Sequence, residues 1–246
     1  MQILGVRIDE FTRQQTLQRV SEFLNSTKSH TIFTPNPEML VDAQKDEYFK
    51  RVLNESDLNV CDGFGLSLVS GVERYPGVDL MQDICALAEK EGKSIYLLGS
   101  GSDEIVKKTA TKLNKKYSNL KIVGHNKGPK IELRVTSYEL LVTNEEKNDE
   151  ILHDIIMTAP DILFVAFGHG KQEKWINENL PHLPSVRVAM GVGGAFDFIS
   201  GHIKRAPRLI RKIGLEWLYR LIQEPRRIGR IFKATVLFIY CDIFKK

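Results

Sequence analysis

Cysteine is scarce in this 246-residue chain, and its three cysteines, Cys61, Cys85 and Cys241, are odd in number and far apart. That excludes a disulfide framework or a CxxC site and suits a reducing compartment. Long apolar runs are also missing. The longest near the end, Ala234 to Cys241, falls far short of the ~20 residues that span a bilayer. The amino terminus, MQILGVRIDEF, has neither the basic n-region nor the apolar h-region of a signal peptide. The chain is therefore expected to lie on a membrane at most. The six histidines are dispersed, and HExxH, Asp-x-Asp and GxSxG are all absent. A coded metal site and a nucleophile elbow thus lack support. No metal or other cofactor is expected, and cationic side chains must stabilise any departing phosphate.

Charge, by contrast, is abundant and unevenly placed. The whole chain carries +4, but Lys204 to Lys246 holds 12 Lys/Arg against 3 Asp/Glu, a balance of +9 that leaves the first 203 positions at −5. Such asymmetry points to an anionic partner for the basic end. The pattern there is helical. Leu215, Leu218, Leu221 and Ile222 make an apolar side, Trp217 and Tyr219 are interfacial aromatics, and Arg220, Arg227 and Arg230 recur on nearby turns around a kink at Pro225. This reads as an amphipathic membrane-surface appendage, or else as an ordinary helical hairpin with a solvated outer face. No nucleic-acid motif is visible, so no nucleic-acid partner is expected.

Upstream, strands alternate with helices. Ile3–Ile8 alternates as a strand, and Thr12–Leu24 is a helix with Thr12 as its cap. Strands follow at Thr31–Thr34, Leu58–Cys61, Ser94–Leu98, Lys121–Gly124, Asp161–Ala166 and Val186–Val192. Helices are expected from about Glu38, and over Val78–Glu91, Asp103–Tyr117, Glu145–Met157 and Lys171–Leu180. The stretch Asn126–Thr143 is β-rich without a firm boundary. The expected fold is α/β, a Rossmann-like, largely parallel sheet flanked by helices, with residues 1–203 as core and 204–246 as a C-terminal helical appendage.

Ligands of open α/β sheets gather at the carboxyl ends of strands, and four ends carry unusual residues. Gly99-Ser100-Gly101-Ser102 offers backbone N–H groups at a helix start, a seat for a phosphate or a plain turn. Asp62, after an apolar strand, is a general base or the cap of the next helix. Thr34 and Asn36 flank Pro35, where turn chemistry is the simpler account. Gln172 and Glu173 suit sugar hydroxyls or merely open a helix. Asp197 is a sugar ligand or a local cap.

The ordered motifs TPNPEML (Thr34–Leu40), DGFG (Asp62–Gly65), ERYPGVDL (Glu73–Leu80), LLGSGS (Leu97–Ser102), PDILFVAFG (Pro160–Gly168) and KQEKWI (Lys171–Ile176) run along the chain. GVGGAFDFISGHIKRAP and GLEWLYRLIQEPRR follow them. In this set the chain resembles the WecG/TagA/CpsF glycosyltransferases, and most closely the teichoic-acid N-acetylmannosaminyltransferases among them. The resemblance implies a metal-independent, inverting transfer of N-acetylmannosamine from UDP-N-acetylmannosamine to the C4 hydroxyl of N-acetylglucosamine on undecaprenyl diphosphate. It implies a peripheral enzyme on the cytoplasmic face of the cell membrane, and leaves homo-oligomerisation open. By position Asp62 matches the proposed base, Thr34 and Gln172 match active-site residues, and Arg74 matches the arginine of its motif. Arg220, Arg227 and Arg230 match appendage arginines thought to contact the diphosphates. Other UDP-sugar donors, N-acetylmannosaminuronate or glucose, and a non-catalytic binding protein are the alternatives.

Overall fold

The computed structural model describes residues 1–133, 140–142, 145–238 and 240–241, with backbone only at 133, 140–142, 212 and 227. The chain opens with a tight hairpin, β1 (Gln2–Ile3) against β2 (Val6–Arg7). The expected single strand Ile3–Ile8 is therefore wrong. Leu4 and Gly5 take φ of 50° and 71°, the paired positive values of a two-residue turn.

Helix α1 (Arg13–Leu24) starts at a capping box between Thr12 and Gln15. Strand β3 (His30–Phe33) ends before Pro35, and Asn36 caps α2 (Pro37–Ala43). Next come α3 (Glu47–Glu55), β4 (Leu58–Asn59), α4 (Phe64–Ser70), α5 (Gly77–Glu91), β5 (Ser94–Gly99), α6 (Asp103–Lys116) and β6 (Lys121–Asn126). Within the stretch that lacked a boundary, β7 (Ile131–Leu133) pairs antiparallel with β8 (Leu140–Val142). Residues 134–139 and 143–144 of that region lie outside the described residues. The core closes with α7 (Glu145–Thr158), β9 (Ile162–Ala166), α8 (Lys171–Asn179), β10 (Val188–Gly191) and α9 (Ala195–Ser200).

Six strands form one parallel sheet in the order β4-β3-β10-β9-β5-β6. Both faces are covered, so the central strands are apolar throughout, and all five residues of β9 are buried. Their side chains alternate between two clusters. Phe33, Tyr96, Leu98, Leu163, Val165 and Ala189 face α2, α3, α7 and α8. Ile32, Ile95, Leu97, Ile162, Phe164 and Met190 face α1, α5, α6 and α9. The result is a three-layer α/β/α sandwich.

Beyond Lys204 the chain breaks into short pieces: α10 (Arg208–Lys212), α11 (Glu216–Gln223), a 3-10 turn at Pro225–Arg227, α12 (Ile228–Phe232) and a π-helical stretch, Lys233–Leu237. The expected kink falls at Pro225. No described residue of α11 or α12 is buried. Beyond them Phe238 is 1% exposed within the first core cluster, and Cys241 is buried as well. The tail is thus pinned to the core by an aromatic side chain, which the surface-helix reading did not foresee. Among the described residues no helix is long and apolar enough to cross a membrane.

Candidate active site

Because the six strands are parallel, the loops after their carboxyl ends share one edge. Asp62 follows β4, Thr34 follows β3, Gly193 follows β10, Gln172 follows β9, and Gly99 ends β5 with Ser100 and Gly101 after it. The chain leaves β5 toward the β6 edge and β9 toward the β4 edge, which makes the gap between those two strands a topological switch point. Strand spacing also divides the candidates. Asp62 and the β5 loop are four strand intervals apart, about 19 Å at ~4.8 Å each. They cannot touch the same sugar ring, only opposite ends of an extended ligand.

Asp62 lies in a recess, its side chain 27% exposed. The chain holds it from behind, its own N–H donating to Pro35 O at 2.9 Å. Gly77 N–H donates to its Oδ2 at 3.3 Å, and Arg74 Nε stands 3.8 Å from Oδ1. It does not cap the helix that follows, since Gly63 is the residue at that position and makes no side-chain cap. Burial pushes the Asp62 pKa up. Arg74 and the Gly77 N–H pull it back, Glu216 adds to the rise, and the net is a carboxyl above its ordinary value. Thr34 is beside it: a methyl on Gly77 would come within 3.0 Å of Thr34 Oγ1.

Gln172 and Glu173 are buried in the first turn of α8. Gln172 Oε1 accepts from Gly193 N–H at 2.9 Å, and its Nε2 donates to Glu173 Oε1 at 2.8 Å. The amide lies so close to β10 that a Cβ on Gly191 would meet Nε2 at 2.8 Å, which accounts for glycine there. Glu173 Oε2 accepts from Gly170 N–H at 2.6 Å, the helix-opening role allowed by its position. Burial holds its pKa up, against hydrogen bonds that lower it. Asn36 likewise uses its side chain locally, accepting from Met39 N–H at 3.1 Å.

The β5 loop is less open to an anion than its glycines suggest. Ser100 N–H donates to Ala166 O at 2.9 Å and Gly101 N–H to Lys127 O at 3.2 Å, so two of the expected free donors are committed. Gly99, Ser100 and Gly101 all have positive φ, 118°, 74° and 67°. A Cβ on Gly99 would stand 2.6 Å from Ala166 O.

The tail folds back over this edge. Arg220 Nε donates to Glu224 at 3.1 Å, and its guanidinium covers the Phe198 ring at 4.8 Å. A Cβ on Gly194 would meet Arg220 Nη2 at 3.1 Å and Asp197 Oδ2 at 3.6 Å, so both face the loop after β10. Arg230 grips Glu38 at 2.9 Å and reaches His169 Nδ1 at 3.2 Å. The Arg227 side chain lies outside the description. Glu38, Asp42 and His169 are spaced closely enough to share a cation, but Arg230 and Lys233 sit on the two carboxylates here.

Sequence reading missed the pairs that join tail to core. Glu216 Oε2 accepts from Arg74 Nη2 at 3.0 Å and its Oε1 from Arg205 Nε at 3.1 Å. Arg205 in turn takes both oxygens of Asp79. All four stand in the quoted motifs, but ion pairs 126 and 142 residues apart leave no local pattern.

Proteins of Staphylococcus aureus strains MW2 and NCTC 8325 / PS 47 are each 29% identical over 97% of this chain and 90% of their own length. Both are named N-acetylglucosaminyldiphosphoundecaprenol N-acetyl-beta-D-mannosaminyltransferase. The description "Glycosyl transferase WecG/TagA/CpsF family" matches residues 1–246. The chain belongs to that glycosyltransferase family.

Proposed function

We propose that this enzyme transfers N-acetylmannosamine from UDP-N-acetylmannosamine to the C4 hydroxyl of N-acetylglucosaminyl-diphospho-undecaprenol, an early committed step in building the wall teichoic acid linkage unit. The observation that carries the reading is one recessed carboxylate, Asp62, with a raised pKa and an arginine 3.8 Å away, in a chain whose relatives bear that name. Inversion needs a single displacement. The acceptor hydroxyl gives its proton to Asp62 while its oxygen bonds the sugar C1, and the C1–oxygen bond to UDP breaks with its electron pair leaving on the diphosphate. Arg220 and Arg230 supply positive charge for that diphosphate without a metal. Both are held by carboxylates, Glu224 and Glu38, so the ligand must displace those partners.

Membrane association is part of the proposal. Leu209, Ile213, Ile222, Ile228, Phe232 and Val236 of the tail are more than half exposed, among arginines that suit an anionic lipid surface. These exposed apolar side chains support the reading of a peripheral enzyme on the cytoplasmic face of the membrane.

The test is transfer from radiolabelled UDP-sugars to a short-chain lipid acceptor. Wild type should use UDP-N-acetylmannosamine, and Asp62→Asn should lose about 10²–10⁴-fold in turnover while still binding UDP. Preference for another UDP-sugar would change the donor. Unchanged turnover in Asp62→Asn would remove the base.

A further inference from the structure

Arg74 has two carboxylates to choose between. Its Nη2 donates to Glu216 at 3.0 Å, whereas its Nε stops 3.8 Å short of Asp62. That Nε is buried and has no hydrogen-bond partner, an unusual state for a guanidinium nitrogen beside a carboxylate. Glu216 belongs to α11 in the tail, and its second oxygen is tied through Arg205 to Asp79 in the first turn of α5. The same helix begins at Gly77, whose N–H binds Asp62. The contacts close a ring: Asp62, Gly77, Asp79, Arg205, Glu216, Arg74 and back to Asp62. Side chains in it are only 15% to 27% exposed, so salt and water screen these charges weakly.

We propose that Glu216 is a positioning residue that withholds Arg74 from Asp62, so that the carboxylate is free to take a proton only while the tail is docked. The inference rests on reading Asp62 as the base. Without the Glu216 charge, the guanidinium has one carboxylate left in reach. Closing the remaining gap would form a direct ion pair, which stabilises the ionised carboxylate and occupies the oxygen that must accept the hydroxyl proton. The groups facing Asp62 are Arg74 and the Gly77 N–H from the loop and start of α5, the Gly63 N–H, Glu216 from α11, and the neighbouring Cys61 thiol. Removing the Glu216 charge shifts this balance toward ionised Asp62, and an undocked tail has the same effect.

The experiment uses the full chain and two substitutions, Glu216→Gln and Glu216→Asp. Asp62 is titrated by carbon-detected NMR on labelled aspartate, with its resonance identified by its loss in Asp62→Asn. In Glu216→Gln the Asp62 midpoint should move to lower pH. The acid limb of the kcat/KM profile should move with it, and kcat should fall about tenfold with little change in KM for the UDP-sugar. Glu216→Asp keeps the charge and should restore part of both shifts, and it also serves if the glutamine variant fails to fold. A midpoint that stays put or rises, or identical behaviour of the two variants, overturns the proposal. A merely structural latch would lower activity without moving the limb. Turnover retained in Asp62→Asn would instead sink the reading of Asp62 as base while leaving the midpoint shift intact.

Discussion

The parallel sheet and the tail after Lys204 are held by different physics. In the sheet, Phe164, Val165 and Ala189 are completely buried, and stability comes from apolar area removed from water. In the tail, α11 and α12 bury none of their described residues. It is held by Arg205 on Asp79, Glu216 on Arg74, Arg230 on Glu38 and Lys233 on Asp42, with Phe238 seated in the core. Burial of apolar area is strong and depends on no particular partner, whereas an ion pair can exchange one charged partner for another. The proposed exchange of carboxylate partners for a diphosphate suits the second kind of attachment. The two tryptophans fall one to each region, Trp175 fully buried under the sheet and Trp217 40% exposed on α11. Fluorotryptophan observed by fluorine NMR can therefore follow core and tail separately.

The hardest blow to the comparison is Phe164→Ala, which should cost about 3–5 kcal/mol of global stability by leaving a cavity in β9. Denaturant unfolding followed at both tryptophans should shift for the whole chain. A loss below about 1 kcal/mol would mean that the central strand is not the source of stability.

Phe238→Ala asks whether the aromatic anchor belongs to the core or only to the tail. It should free the tail locally: the Trp217 resonance sharpens and shifts, protease cuts within 207–238, and the core transition moves less than in Phe164→Ala. If both resonances and the unfolding midpoint move together as far as they do for Phe164→Ala, tail and core are one cooperative unit and the contrast fails.

This division also explains what could be read in advance. Asp161–Ala166 was legible as a buried strand because a central parallel strand is apolar on both faces. Asp103–Tyr117 was legible because Ser102 caps a periodic helix. Helix α3 went unread although Asp46 caps it and Phe49, Val52 and Leu53 mark its buried face, a signal present but short. The carboxyl-edge candidates were found because strand ends are local features. The ring through Glu216 was not, since which carboxylate an arginine chooses is decided by tertiary distance. Likewise, amphipathic spacing announces a tail helix without saying that Phe238, rather than an exposed neighbour, enters the core.

The smallest and most selective probe is acid. Burial tends to raise Asp42 and Asp79. Hydrogen bonds from His169 and Lys233 to Asp42, and from Arg205 to Asp79, outweigh it, so both sit below the ordinary aspartate value of 3.8. A depressed carboxylate contributes stability that is complete above its unfolded pKa and disappears as pH falls through the folded one. Both clasp the tail, so its release belongs below about pH 3.8. Asp62 and Glu173 have the opposite sign. Their raised values mean that the folded state binds their protons more tightly, so their contribution is complete below the unfolded pKa and is lost as pH rises through the folded values. Lowering the pH from neutral should therefore first favour the core and only later loosen the tail. In fluorine NMR the Trp217 resonance should change at lower pH than any change that follows Asp62, with Trp175 still in its native position. Simultaneous movement of both resonances would show that the carboxylate clasps do not govern the tail independently.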